Sequence, residues 1–293
     1  MSRLNHRQAL IDRMGVSVTQ AQIMAGPVNT AYLRAGHPDQ RPPVVCLHGA
    51  GAGAVTWYPT LGALSRRFQV IAPDIVGYGE SDKPDAAYDR SYFSAWLRDL
   101  LTALDIHKAH LVGLSQGGAI ALQFALDNPG MVDKLVLVDS GALGARPPPG
   151  SFAGMIGLNT FPSALTNRFF SRYLLFHPKN RDPNHGHYSI EVIKGKGGKK
   201  AFRQGRGAAV AAMPEDSLRR IQHQTLIVWG EQDRLFAIKH GEAAAAIMPN
   251  ARLCRVRDAG HLPLMDRPED FNKAVVTFLS RKESSQQGSE AWL

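Results

Sequence analysis

The chain has 293 residues, 44% hydrophobic and 20% charged, enough for a sizeable core and ordinary for a soluble globular protein. Its first fifteen residues, MSRLNHRQALIDRMG, lack the apolar h-region of a secretory signal, and no apolar run approaches the roughly 20 residues of a membrane helix. The net charge of +9 lies almost wholly between residues 145 and 215, where eleven Lys/Arg face three acids; without interleaved aromatics or a recognised module this bias does not suit nucleic acid, and it leaves an anionic ligand or a solvated loop.

Residues 16–34 alternate apolar and polar side chains around AGPVN and predict a β-hairpin. Continuous apolar runs at 43–49, 68–74, 109–113 and 134–139 then predict strands buried on both faces, separated by helices at about 57–66, 92–104 and 117–127. Cys46 and Cys254 fall inside such runs and read as buried thiols, which makes a reducing cytoplasm the default. The three prolines of GARPPPGS end the rhythm, and the chain beyond them reads as one helix at about 162–176, a polar turn HPKNRDPNHGHY and an irregular IKGKGGKKAFRQGRG. Alternation returns with strands in 224–233 and 251–261 and helices at about 238–247 and 268–281, before a polar tail, KESSQQGSEAWL, expected to fray. The expectation is an α/β core of residues 1–144 and 216–293, with a mostly parallel sheet, interrupted by a largely helical cap at 145–215.

Gly113-Leu114-Ser115-Gln116-Gly117 fits G-x-S-x-G and stands where a buried strand meets a helix. A sharp turn there lifts the central hydroxyl out of the sheet, and side chains at the flanking glycines would collide with the facing strand and helix. Ser115 is therefore the candidate nucleophile. Serine needs a base, and the base needs an orienting acid. His261, in DAGHLPLMDRP just after the last predicted strand, is the candidate base. Asp233, in WGEQD, is the favoured acid, with Asp139, in LVLVDSG, as the competitor. The glycine-rich HGAGAGA loop suits backbone N–H donors brought close to a substrate, and it lacks the G-K-[ST] ending of a phosphate loop.

Together, LHGAGAG, APDIVGYGESDKP, GLSQGG, WGEQD and GHLPLMDRPEDF resemble the α/β-hydrolase superfamily over about residues 28–143 and 221–280. The resemblance implies an α/β-hydrolase fold with an eight-stranded sheet, a Ser115–His261–Asp233 triad, and an oxyanion hole from the N–H groups of Ala50 and Gln116. His48, Gly49, Gly51, Trp57, Leu114 and Leu262 are candidate pocket-lining residues, with His48 also reading as a packed residue beneath the loop and Trp57 as core. A serine at this corner argues against the superfamily's dehalogenases and epoxide hydrolases, which use aspartate. The layout partly resembles the meta-cleavage-product C–C hydrolases but departs from them: GAGAGA replaces their Gly-Pro-Gly-Ala run, and Leu262 replaces the Trp after the histidine.

These residues point to hydrolysis of a small carboxylic ester through an acyl-enzyme, ahead of C–C hydrolysis of dienone acids, cofactor-free haloperoxidase chemistry and a non-catalytic ligand receptor. The expected partner is a small molecule, anionic if the basic segment reads it through Lys194, Lys196, Lys199 and Lys200, with no cofactor and no metal. His177, His185 and His187 read as polar turn residues rather than metal ligands, since no cysteine and little acid stand near them.

Overall fold

In the computed structural model, which describes residues 5–281, the two-sided apolar runs become the interior of one eight-stranded sheet; the tail KESSQQGSEAWL lies outside the described residues. The strands are β1 (Thr19–Ala25), β2 (Val28–Ala35), β3 (Val44–Leu47), β4 (Val70–Pro73), β5 (Ala109–Leu114), β6 (Val132–Val138), β7 (Gln224–Gly230) and β8 (Ala251–Val256), in the order β1-β2-β4-β3-β5-β6-β7-β8. β2 runs antiparallel to β1 and β4, and every other pair is parallel. Every residue of β3, β4 and β5 is buried, while β1 and β8 at the edges are partly exposed. The continuous apolar runs are therefore central strands covered on both faces.

The helices are α1 (His6–Ile11), α2 (Leu61–Ser65), α3 (Arg90–Ala103), α4 (Gln116–Asp127), α5 (Pro149–Thr160), α6 (Ala164–Leu174), α7 (Pro183–Lys194), α8 (Gly198–Val210), α9 (Glu215–Arg219), α10 (Lys239–Ile247), α11 (Pro263–Asp266) and α12 (Pro268–Ser280). α3 and α4 pack together, as do α2 and α12, with α12 also against β7 and β8. β3 has β4 on one side and β5 on the other, so the strand order reverses there. The crevice beyond the carboxyl ends of β3 and β5 is where open α/β sheets place ligands.

The sequence reading departs from this architecture at several points. The helix expected over 57–66 is a 3₁₀ turn, Ala54–Trp57, followed by the short α2, because Pro59 has no N–H to continue a ladder. α1 was not expected. The segment between β6 and β7 holds five helices where one was expected. Pro149 starts α5, since proline suits the first helical position even though it cannot sit in the interior. The supposed polar turn contains the start of α7: Pro183 opens the helix and the Asp182 side chain accepts the N–H groups of Asn184 (2.8 Å) and His185 (3.3 Å). In α8, Ala201, Phe202, Gly205, Ala208 and Ala209 form a buried stripe at helical spacing. Its glycines hid that stripe, but Gly205 is a contact: a Cβ there would stand 2.5 Å from the Tyr78 hydroxyl and 2.6 Å from Gln116 Nε2.

Cys46 and Cys254 are buried, unpaired thiols in β3 and β8. Among the described residues no helix is long and apolar enough to cross a membrane.

Candidate active site

β5 ends at Leu114 and α4 begins at Gln116, so Ser115 alone makes the corner, at φ 52° and ψ −113°. A non-glycine residue held there stores about 1–3 kcal/mol of backbone strain, which the surrounding structure must offset. Ser115 N–H donates to Val138 O (2.9 Å), and Ser115 O accepts from Gly118 N–H (3.0 Å) and Gly141 N–H (2.9 Å), pinning the corner between β6 and α4. The glycines are required by space. A Cβ on Gly113 would lie 2.4 Å from Gly117 O, one on Gly117 2.1 Å from Leu47 O, and one on Gly118 2.2 Å from Ser140 Oγ.

His261 follows β8, and Asp233 follows β7, so both reach the same end of the sheet as Ser115. His261 Nδ1 and Asp233 Oδ2 are 2.8 Å apart, with both side chains buried. The other Asp233 oxygen accepts the N–H groups of Leu235 (2.7 Å) and Phe236 (2.9 Å). An imidazole that donates through Nδ1 to a carboxylate presents a lone pair at Nε2, and this Nε2 is buried with no hydrogen-bond partner among the described residues. The Phe236 ring stands edge-on to the imidazole, with centroids 5.1 Å apart, and limits its rotation.

Asp139, the competing acid, does not take the histidine. It sits at the end of β6, fully buried, and its Oδ1 accepts Gly230 N–H at 3.0 Å. Burial, and then the neighbouring Asp233 charge, raise its pKa well above the usual carboxylate range, which favours the protonated form of Asp139. The ligand atoms of Asp139, Asp233 and His261 lie within 4.8 Å of one another, a grouping that could geometrically hold a metal. The oxygens of Asp233 already accept three hydrogen bonds, however, and the raised pKa of Asp139 disfavours the ionised form a metal ligand would need.

The loop after β3 passes directly over Ser115: a Cβ on Gly49 would come within 3.4 Å of Ser115 Cβ. Among the described residues neither Ala50 N–H nor Gln116 N–H donates to a protein acceptor, and the latter heads α4, where helix N–H groups have no intrahelical partner. The loop is held from below by Asp74, at the end of β4. Its carboxylate accepts Ala54 N–H (2.6 Å) and Glu80 N–H (3.0 Å) and pairs with the buried Arg7 of α1 (2.9 Å), whose guanidinium also donates to the Tyr188 hydroxyl of α7 (2.8 Å).

Ser115 and His261 line a largely apolar cavity of about 430 Å³, together with Gly49, Ala50, Gly51, Leu114 and Leu262. His48 and Trp57 do not line it. His48 is buried under the loop, donating through Nδ1 to Gly49 O (2.8 Å) and accepting Ile75 N–H at Nε2 (2.9 Å). Burial pulls its pKa down to about 4, so it is a neutral strut. Trp57 is fully buried core. Nor do Lys194, Lys196, Lys199 and Lys200 line the cavity; Lys200 pairs with Asp85. The cations that do are Arg168, Arg181 and Arg206. His185 also lines it, within 3.2 Å of Thr56 Oγ1, and burial lowers its pKa to about 4. Sequence reasoning missed Arg7, Asp74 and Arg181, and read His185 as a polar turn residue rather than part of the cavity wall. Only Asp74, a charge at the end of an apolar strand, carried any local signal.

A sheet of this order with a serine corner beyond β5, a glycine-rich loop beyond β3 and a His–Asp pair beyond β7 and β8 defines an α/β-hydrolase architecture. A family model for the alpha/beta hydrolase fold matches residues 42–268, and the chain belongs to that family. The 2-hydroxy-6-oxo-6-(2'-aminophenyl)hexa-2,4-dienoic acid hydrolase of Metapseudomonas resinovorans is 26% identical, covering 95% of this chain and 97% of that protein. A carboxylesterase of Bacillus subtilis is 25% identical, over 85% of this chain and 83% of its own length. Its crystal structure superposes with a TM-score of 0.86, covering 94% of this chain and 96% of that one at 22% identity, a likeness of fold.

Proposed function

We propose that this protein is a serine hydrolase of small carboxylic esters, acting through an acyl-enzyme on Ser115. The observation that carries the reading is the meeting of the strained Ser115 corner and the Asp233-bound His261, with its unpartnered Nε2, on one cavity. His261 Nε2 takes the Ser115 proton as Oγ attacks the ester carbonyl, and the Asp233 carboxylate stabilises the imidazolium. The N–H groups of Ala50 and Gln116 receive the oxyanion. The imidazolium then protonates the departing alcohol, leaving an acyl group on Ser115. In the second half the same nitrogen deprotonates water, which attacks the acyl carbonyl and releases the acid. Residues 145–215 serve as a cap that supplies most of the cavity wall, and the two unpaired cysteines support a reducing compartment such as the cytoplasm.

A panel of p-nitrophenyl esters of increasing acyl length tests the reading. Turnover with labelling of Ser115 by a fluorophosphonate is expected, and Ser115→Ala should lose at least about a thousandfold in kcat. An undiminished Ser115→Ala enzyme would overturn it. Similarity to a dienoic acid hydrolase over nearly the whole chain supports C–C hydrolysis as a second reading. A dienone acid turned over faster than every ester would favour it.

A further inference from the structure

The cavity holding Ser115 and His261 abuts a second, more open and polar cavity of about 780 Å³, and Arg181 lies in the wall common to both. The second cavity is also lined by Arg13, Arg66 and Lys179. Arg181 Nε is buried and has no hydrogen-bond partner among the described residues. Its surroundings are cationic: burial, then the charges of Arg168 and Arg172, push its pKa below the ordinary guanidinium value. A guanidinium that feels two like charges and has no protein anion paired to it is a favourable place for a bound anion.

The nearby acids are all committed elsewhere. Asp182 caps α7 and pairs with Arg13. Asp266 accepts the N–H groups of Phe176 (2.8 Å) and Gly260 (2.9 Å) and the Asn180 amide (2.8 Å). Arg206 lies over the Phe152 ring. Arg181 is therefore a partly buried fork of donors in the wall between an apolar and a polar cavity, with no protein carboxylate paired to it, an arrangement suited to a carboxylate carried in by a ligand.

We propose that Arg181 is the anion subsite of the substrate cavity, and that the preferred esters carry a carboxylate on the acyl chain, remote from the scissile carbonyl. The proposal rests on the esterase reading above. It assigns substrate charge recognition to a guanidinium between two cavities and leaves the exposed Lys194, Lys196 and Lys199 as solvated surface.

The test compares p-nitrophenyl hemiadipate and hemisuberate with their methyl-capped diesters on wild type, Arg181→Met, Arg181→Lys and the control Lys199→Gln. Wild type should prefer a hemiester by about tenfold or more in kcat/KM, with the preference shrinking as ionic strength rises. Arg181→Met should abolish that preference, chiefly through KM for the hemiester. Arg181→Lys should restore part of it, and Lys199→Gln should behave as wild type. Neutral-ester turnover without any hemiester preference would overturn the subsite and leave the esterase reading standing, as would equal losses on both esters in Arg181→Met. Turnover of neither ester, with Ser115 unlabelled by fluorophosphonate, would overturn both.

Discussion

Asp139→Asn separates two roles for one carboxyl. If Asp139 is a protonated partner behind Asp233, asparagine reproduces it: the amide oxygen can accept Gly230 N–H and the amide nitrogen can donate towards Asp233. The folded pKa of Asp139 is raised by burial and by the Asp233 charge. Below about pH 4 the folded and unfolded carboxyls are both protonated, and the proton's contribution to stability is fully present. As pH rises above that, the unfolded chain releases a proton that the folded chain retains. Stability therefore falls, by at most about 1.4 kcal/mol per pH unit, until the folded carboxyl titrates. Between pH 5 and 7 wild type should lose up to about 2.7 kcal/mol that the variant keeps. Urea unfolding of both proteins at pH 5, 6, 7 and 8 reads the difference directly, since every other titrating group is common to the two. Parallel stability curves would show an Asp139 ionised in the folded state and refute the reasoning. Ester turnover supplies an independent check. The variant should keep kcat within about threefold, whereas an Asp139 that oriented His261 would cost about 10⁴-fold on conversion to asparagine.

Gly117→Ala places a methyl 2.1 Å from Leu47 O, on backbone that cannot yield, and should cost about 3 kcal/mol or more. Gly207→Ala, in the interior of α8 with nothing within 4 Å of its Cβ, should instead stabilise by about 0.5–1 kcal/mol, and melting curves of the pair that moved together would contradict both. His48 and His185, each lowered by burial to about 4, stay neutral in the fold; their contribution is present above about pH 6.5 and is lost as pH falls towards 4. His185→Asn should flatten that acid-side decline by up to about 1.4 kcal/mol per pH unit, and denaturant titrations between pH 4.5 and 7 with an unchanged slope would argue against it. Asp74→Asn strands the Arg7 guanidinium and loosens the loop at Ala54, so it should cost about 3 kcal/mol and lower kcat/KM about tenfold or more on every ester alike. Full activity at unchanged stability would mean that the loop holds itself.

The Ser115 corner was legible because its constraints are local. Gly113, Gly117 and Gly118 are close in sequence to the residue they serve, and the clashes they avoid follow from any strand-to-helix turn. The sheet was legible because strands buried on both faces must be apolar at every position, which separates them from amphipathic helices without knowledge of their neighbours. His261 and Asp233 could be found as polar residues just past strand ends, and Asp233 was favoured as the histidine's partner, but Asp139 stayed open as a competitor. The choice between Asp139 and Asp233 turns on a hydrogen bond between residues 28 apart in the chain. The inserted helices failed for a related reason. α8 is rich in glycine, poor for helix propensity, and its glycines make sense only beside Tyr78 and Gln116, far away in sequence. Trp57 read equally as pocket lining or core from its position, and packing places it in the core.

The guanidinium of Arg7 joins three stretches of chain that never meet in sequence: α1, the loop beyond β4 and α7. That junction limits how the molecule can be re-engineered. Substrate scope in such enzymes invites exchange of the helices between β6 and β7 as an interchangeable cartridge. A transplant covering residues 149–210 would remove Tyr188 and leave Arg7 short of one acceptor beneath the loop that carries Ala50. A working chimera must therefore bring its own amino-terminal helix, or a replacement hydroxyl at the Tyr188 position.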